Sequence, residues 1–348
     1  MLRSSAWPPS ARHVESARIE EQAGRHGSSP ADRLALAQTV GTTASVLSTG
    51  TAGSCFATLA AIAAADVATA RTVEPHLDAL GILAQAGVAV PAGSTWGVFA
   101  AEGPGVRLTA SGGTSDGAVV LDGTKPWCSL ASTLSHALVT AHVAADGGAE
   151  RQLFAVDLRQ PGVTVHDEAW VARGMPDVPS GPVDFAGVRA EPVGGPGWYL
   201  RRPGFAWGGI GVAACWWGGA VGLARVLRAL AADHPDSELL QAALGATVAD
   251  LADAEDALAD AAARIDAPDP DDTDWSLLAQ LVRSRVRRAV DAVRSRVVAT
   301  VGPGPLTTDP AVAARVADLE LYVLQDHGDR DLARIGRKVL AGSGGVAW

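Results

Sequence analysis

A chain of 348 residues is longer than one ordinary compact domain, and its length predicts roughly two or three. With 28 lysines and arginines against 38 aspartates and glutamates, the net charge of −10 argues against a nucleic-acid partner held through phosphates. Charged residues make up 19% and hydrophobic ones 48%, which is too apolar for a disordered chain. Three widely spaced cysteines, Cys55, Cys128 and Cys215, suggest neither a disulfide framework nor a CxxC metal site. A reducing cytoplasm is the expected setting.

The first thirty residues are polar, lack the apolar run of a signal peptide, and are expected to be loosely ordered. Residues 31–92 are alanine-rich, with leucines and alanines spaced for a helical N-terminal domain. From Ser94 the texture changes to short apolar runs between glycine-rich turns, such as STWGVFAAEG, GAVVLDG and RQLFAVDLRQPG, so residues 93–202 predict a small antiparallel β-domain. Helical texture returns over 203–342, broken at 234–237, 266–274 and 302–310, which leaves four long helices. The expected fold class is therefore mixed α and β, with a C-terminal four-helix bundle.

Two uncharged runs, Leu34 to Ala65 and Gly204 to Ala224, are long enough to test as membrane spans. The first is rich in Gly, Ser and Thr, and the second carries its Trp216-Trp217 pair at the middle, where no aromatic belt belongs. Both read as core helices. The second is apolar nearly all round, so a second copy of the chain is expected to cover part of it. Of the last four helices, the second is acidic (Asp250, Asp253, Glu255, Asp256, Asp260) and the third basic (Arg283, Arg285, Arg287, Arg288, Arg294, Arg296). These charges are either two solvated faces or pairs across a shared edge.

Helices, a small β-domain and helices again is an unusual order, and two segments give it meaning: VFAAEGPG (98–105) and LDGTKPWCSLAS (121–132). The second places Gly123, Lys125, Trp127 and Ser129 on a Gly-x-Lys-x-Trp-x-Thr/Ser pattern, and with PGVTVHDEAW and its sequel (161–192) the chain resembles the acyl-CoA dehydrogenase family over roughly 34–341. The resemblance implies FAD wedged between the β-domain and the C-terminal helices, with Trp127, Ser129, Glu102 and Lys125 as its contacts. An aromatic plane and a hydroxyl on one loop can cover one face of a flavin and bond its polar edge. It also implies an acyl thioester or other small acyl substrate, an electron-accepting flavoprotein as partner, and a homo-oligomer, dimer or tetramer.

Departures accompany the match. Gly103 stands where the family has Pro, and the Gly-Ser-Asp turn is missing. ALAADHPDSELLQ lacks the Arg-x-x-Phe-Gly that holds the dinucleotide half of FAD, and Ala299 or Thr300 stands at a Gln position with the same task. The family's proton-abstracting glutamate falls on Asp326 of LYVLQDHGDRDLARIG, which a carboxylate in a dry pocket could serve as base. Asp326 with Asp329, Arg330 and Asp331 also reads as ordinary helix surface. Three functions follow: oxidation of the α,β carbon-carbon bond of an acyl thioester, a catalytically silent relative acting as a binding or assembly subunit, or a flavin-dependent monooxygenase needing no carboxylate base.

Overall fold

The computed structural model describes residues 11–25, 29–112, 117–143, 150–267 and 273–342. Four helices come first: α1 (Ala11–Arg25), α2 (Pro30–Thr43), α3 (Ala52–Ala65) and α4 (Val67–Ala86). Part of the segment expected to be loose is thus helical, and Ile19 and Ala23 of α1 are buried. Ser29 caps α2 with Pro30 just inside, and Asp66 both ends α3 and caps α4 through the Thr69 N–H at 2.6 Å.

Seven strands follow: β1 (Trp96–Phe99), β2 (Leu108–Ser111), β3 (Val119–Lys125), β4 (His136–Val143), β5 (Arg151–Asp157), β6 (Val163–Val165) and β7 (Val183–Val193). They pair β4-β2-β3-β7-β5 and back to β4, which closes a small barrel. The pairing corrects the expectation of a purely antiparallel domain. Both β1 and β2 run parallel to β4, end to end along one edge of it, with Trp96 opposite His136 and Thr109 opposite His142. Turn spacing reveals where strands begin and end but not which edge they join. At Gly123 the β3 ladder slips by one residue at φ +117°, and a Cβ there would lie 2.2 Å from the Arg107 carbonyl oxygen. Only glycine fits that bulge, which accounts for the first residue of the predicted motif.

The remaining chain is helical: α5 (Trp198–Arg201), α6 (Pro203–Asp233), α7 (Glu238–Asp266), α8 (Trp275–Val301), α9 (Pro303–Thr308), α10 (Pro310–Tyr322) and α11 (Asp329–Leu340). The expected fourth long helix is broken into α10 and α11 by a turn at 323–328, where Gly328 takes φ +56°. Helix α6 is the helix long and apolar enough to cross a membrane among the described residues, yet 83% of its apolar window is buried inside the chain. It packs on α3, α7 and α8, so this chain covers the faces that a second copy was expected to cover. The other uncharged run is split between α2 and α3. Charge on α7 and α8 is partly paired across their seam: Arg296 reaches Asp250 Oδ2 at 2.7 Å and Arg285 the Asp253 carbonyl at 3.2 Å.

Helices α3 and α6 approach closely. Ala60 and Ala64 of α3 face Gly218 and Gly222 of α6, and a Cβ on Gly218 would sit 2.2 Å from the Ala60 carbonyl oxygen. Asp266 at the end of α7 accepts from the Ala52 and Gly53 N–H groups at 2.7 and 3.0 Å, placing a carboxylate at the positive end of α3. At the other end, Arg315 of α10 donates to the Ala64 and Ala65 carbonyls at 2.9 and 2.7 Å. Gly218→Ala is expected to destabilise the fold by about 1–3 kcal/mol through overpacking. Gly245→Ala, on an open stretch of α7 where a Cβ meets nothing within 4 Å, should gain about 0.4–1 kcal/mol. Denaturant midpoints of the two variants check both signs, and an unchanged midpoint for Gly218→Ala would deny the tight seam.

Candidate functional site

The end of β3 delivers Lys125 into the barrel, where it is 1% exposed and its Nζ donates to Glu102 Oε1 at 2.7 Å and Thr140 Oγ1 at 2.8 Å. Arg151 lies 3.2 Å from Glu102 Oε1, and His142 Nε2 lies 3.1 Å from Glu102 Oε2. Burial works against the Glu102 charge, but Lys125, His142 and Arg151 outweigh it and hold the carboxyl below its usual range. Lys125 is pushed down by burial and partly restored by Glu102. These two predicted residues fasten the segment after β1 to the end of β3, and they do so through each other.

Beyond Lys125 the chain turns at Pro126, and Trp127 sits at φ +60°, a left-handed conformation uncommon for a bulky residue. Its side chain is 59% exposed, whereas Cys128, Ser129 and Leu130 after it are buried. Leu130 is also left-handed, as is Met175 on the opposing loop. The two loops are clasped by backbone bonds, Cys128 N–H to the Gly181 carbonyl at 3.0 Å and Leu130 N–H to the Pro179 carbonyl at 2.7 Å. The Met175 N–H is taken by the Asp318 carboxylate of α10, so the second loop is anchored to the helices.

Ser129 Oγ accepts from Arg71 Nη2 at 2.8 Å and lies 2.7 Å from Ser180 Oγ. Ser180 Oγ donates to the Val178 carbonyl at 3.1 Å, so the Ser129 hydrogen goes to Ser180. The hydroxyl that the resemblance offers to a flavin therefore has its proton engaged within the protein, and the cation beside it comes from α4.

Arg71 opens a polar cluster between α4, α6, α8 and α10 that the sequence reading did not single out. Its guanidinium lies 3.9 Å from Glu74 Oε2 and 5.9 Å from the centre of the Tyr322 ring. Tyr322 meets Trp216 edge to face at 6.4 Å, and Arg283 stacks over Trp216 at 4.6 Å while donating to the Gly209 and Gln325 carbonyls. Trp216 Nε1 is fully buried and has no hydrogen-bond partner among the described residues. Glu74 is 9% exposed, and burial pushes its carboxyl up to about 7, with Arg71 opposing, Asp78 reinforcing and Arg283 opposing. A signal for this cluster existed: in RTVEPHLD three charges and a proline interrupt an otherwise apolar helix. Pro75 has no N–H to give to the Arg71 carbonyl one turn back.

Asp326 joins the same region from the far side. It is 7% exposed, and its Oδ1 accepts from the Gly328 N–H at 2.7 Å and lies 3.4 Å from Arg287 Nη1. That oxygen closes the turn between α10 and α11. The structure places Trp127 and Ser129 on the loop after β3, joins Glu102 to Lys125 at the end of β3, and connects Asp326 to Ser129 through Gln325, Arg283, Trp216, Tyr322 and Arg71.

An aromatic plane in solvent, two residues from a hydroxyl bonded by the half-buried Arg71 guanidinium, fits a planar cofactor with a polar, electron-accepting edge. No family model matches the chain, and no curated protein matches it. Solved structures do. FMN-bound TdsC from Paenibacillus sp. A11-2 superposes with a TM-score of 0.76 at 18% identity, covering 96% of each chain. A nitrososynthase from Micromonospora carbonacea var. africana gives 0.78 at 18% identity over 97% of this chain and 99% of its own. The methanesulfinate monooxygenase MsuC from Pseudomonas fluorescens gives 0.67 at 18% over 99% of both. At this identity the likeness establishes the fold, which is the acyl-CoA dehydrogenase-like arrangement.

The titration of Glu74 is directly testable. Its folded value is raised from 4.5 to about 7, so the stability of the protonated form is fully present below 4.5 and is lost as pH rises through 7. Glu74→Gln should match the parent near pH 4.5 and exceed it at about pH 8 by on the order of 3 kcal/mol. Parallel pH profiles in thermal melts would show that Glu74 does not titrate in this way.

Proposed function

We propose that this chain is a flavin-dependent monooxygenase that binds FMN at the Trp127 loop and acts on a small organic substrate. When bound, reduced flavin would supply the two electrons with which one atom of dioxygen enters the substrate and the other leaves as water. Trp127 would cover one face of the ring, Arg71 and Ser129 would meet its polar edge, and the Lys125–Glu102 pair would hold the loop in its strained turn. Glu74 holds a proton at its carboxyl oxygen near neutral pH, where it can be given up or regained. Glu74 is itself 9% exposed, in a cluster whose Trp216 and Tyr322 rings are buried.

The observation that carries the reading is the exposed, left-handed Trp127 two residues from Ser129, whose hydroxyl is bonded by the half-buried Arg71 guanidinium. Support comes from the shared fold with FMN-bound TdsC and with KijD3, whose structure contains FMN and a dTDP-linked amino-keto sugar. FMN is preferred over the FAD that the resemblance implies, because the stretches expected to hold the dinucleotide half, 229–241 and 297–305, lack the residues for it. Dehydrogenation of an acyl thioester needs a carboxylate free to take a proton from carbon, and Asp326 Oδ1 is engaged by Gly328 and Arg287. In the monooxygenase reading Asp326 holds a turn, dioxygen replaces the electron-accepting flavoprotein, and self-association remains part of the proposal.

Titration with FMN and FAD, followed by quenching of flavin fluorescence, tests this reading. FMN should bind at least as tightly as FAD. Trp127→Ala should weaken FMN roughly fivefold, the equivalent of about 1 kcal/mol for a lost aromatic stack. Asp326→Asn should retain both FMN affinity and turnover. Binding of FAD but not FMN, or complete loss of activity in Asp326→Asn with flavin retained, would return the chain to the dehydrogenase reading.

A further inference from the structure

The hydroxyl of Ser129 has only one hydrogen, and that hydrogen points to Ser180. What Ser129 presents beside Trp127 is therefore the guanidinium bonded to it. Arg71 uses one N–H on Ser129, and its other charged neighbour, Glu74, is at ion-pair distance but beyond hydrogen-bond distance, at 3.9 Å. Further N–H groups of the five in a guanidinium are available to a ligand. The side chain is 14% exposed, so this cation is largely removed from water and its field is weakly screened.

Glu74 is positioned to subtract from that field. Facing it are Arg71 and Asp78 from α4, Arg283 from α8, Cys215 from α6, Cys55 from α3, Tyr322 from α10 and Tyr199 from α5. Asp78 is directed to Arg202, whose Nη2 lies 4.0 Å away, and Arg283 is spent on carbonyls and the Trp216 ring. Arg71 and Glu74 are thus left as each other's closest opposite charge in the cluster. The break in the α4 ladder at Pro75, whose missing N–H belongs to the Arg71 carbonyl, falls between these two residues and the rest of the helix.

We propose that Arg71 is the cofactor-facing cation of this site and that Glu74 sets how much of its charge the ring meets, so that reduced flavin is bound in preference to oxidised flavin. The inference rests on the flavin reading above. Reduction adds electron density to the ring system, and a positive charge at its edge stabilises the reduced form more than the oxidised one, whereas a nearby carboxylate does the opposite. Arg71 and Glu74 therefore act with opposite signs on one quantity. A structural role for either would weaken both flavin states alike.

The test compares dissociation constants at about pH 8, where Glu74, raised to about 7, is ionised, for oxidised FMN by fluorescence quenching and for chemically reduced FMN under anaerobic conditions by ultrafiltration. The parent should bind the reduced form at least roughly tenfold more tightly. Arg71→Gln should bring the ratio toward one and Arg71→Lys should keep most of it, while Glu74→Gln should raise it. Because Arg71→Gln also removes a bond to Ser129, the opposite shift in Glu74→Gln keeps the test informative if Arg71→Gln folds poorly. Equal affinity for the two states in the parent, or variants that change both affinities in parallel, would overturn the inference while leaving the flavin reading in place. No binding of either state by the parent would overturn both.

Discussion

The close approach of α6 to α3 is the constraint on which the rest of the molecule depends. Alanines on one helix and glycines on the other bring the backbones near enough that a single methyl group would meet a carbonyl. Helix α3 passes directly into α4 through Asp66, so fixing α3 fixes where Arg71 and Glu74 emerge. Helix α6 in turn carries Trp216 and receives Arg283 from α8 on its other side. The charges at the two ends of α3, Asp266 and Arg315, hold the seam lengthwise and match the sign of the helix dipole. One packed pair of helices thus sets the spacing of every helical residue in the cluster.

The barrel contributes the opposite wall by a different device. Its bulge at Gly123 lets β3 cross close to Arg107, and the buried Lys125 just beyond it needs a carboxylate, which Glu102 supplies. With both fixed, the chain after Pro126 has little choice but the left-handed turn that leaves Trp127 in solvent. The strain there is held by the clasp between the 128–130 and 179–181 backbones and by the Asp318 anchor to α10. An aromatic side chain kept in water by this much structure is more readily understood as a ligand platform than as packing.

Much of the architecture was legible in residue order. Alanine-rich helices, short strands between glycines and the long uncharged α6 announce themselves by periodicity and composition. The Gly-x-Lys-x-Trp-x-Ser spacing marks the bulge and end of β3 and the loop after it, where Lys125 meets Glu102 and Trp127 stands in solvent. Strand partnership was not legible, because β1 and β2 share an edge of β4 that only the closed barrel defines. Nor was the covering of α6, which looked unsatisfied in sequence and is satisfied by α3, α7 and α8. Arg71 and Glu74 escaped because charges in a buried helix acquire a role only when partners arrive from distant elements. The charges of RTVEPHLD and Pro75 among them were the local marks. Asp326 was found by position, but its bonds to Gly328 and Arg287 belong to a turn that breaks the helix expected there.

The central claim is that a flavin sits where the Trp127 loop meets α4, and amide hydrogen exchange with and without FMN tests it most directly. The account predicts slowed exchange in residues 126–134 and 68–76 on FMN addition, with residues 240–264 of α7 unchanged. Saturating FMN that slowed exchange only elsewhere in the chain, leaving 126–134 as in the unliganded protein, would contradict it.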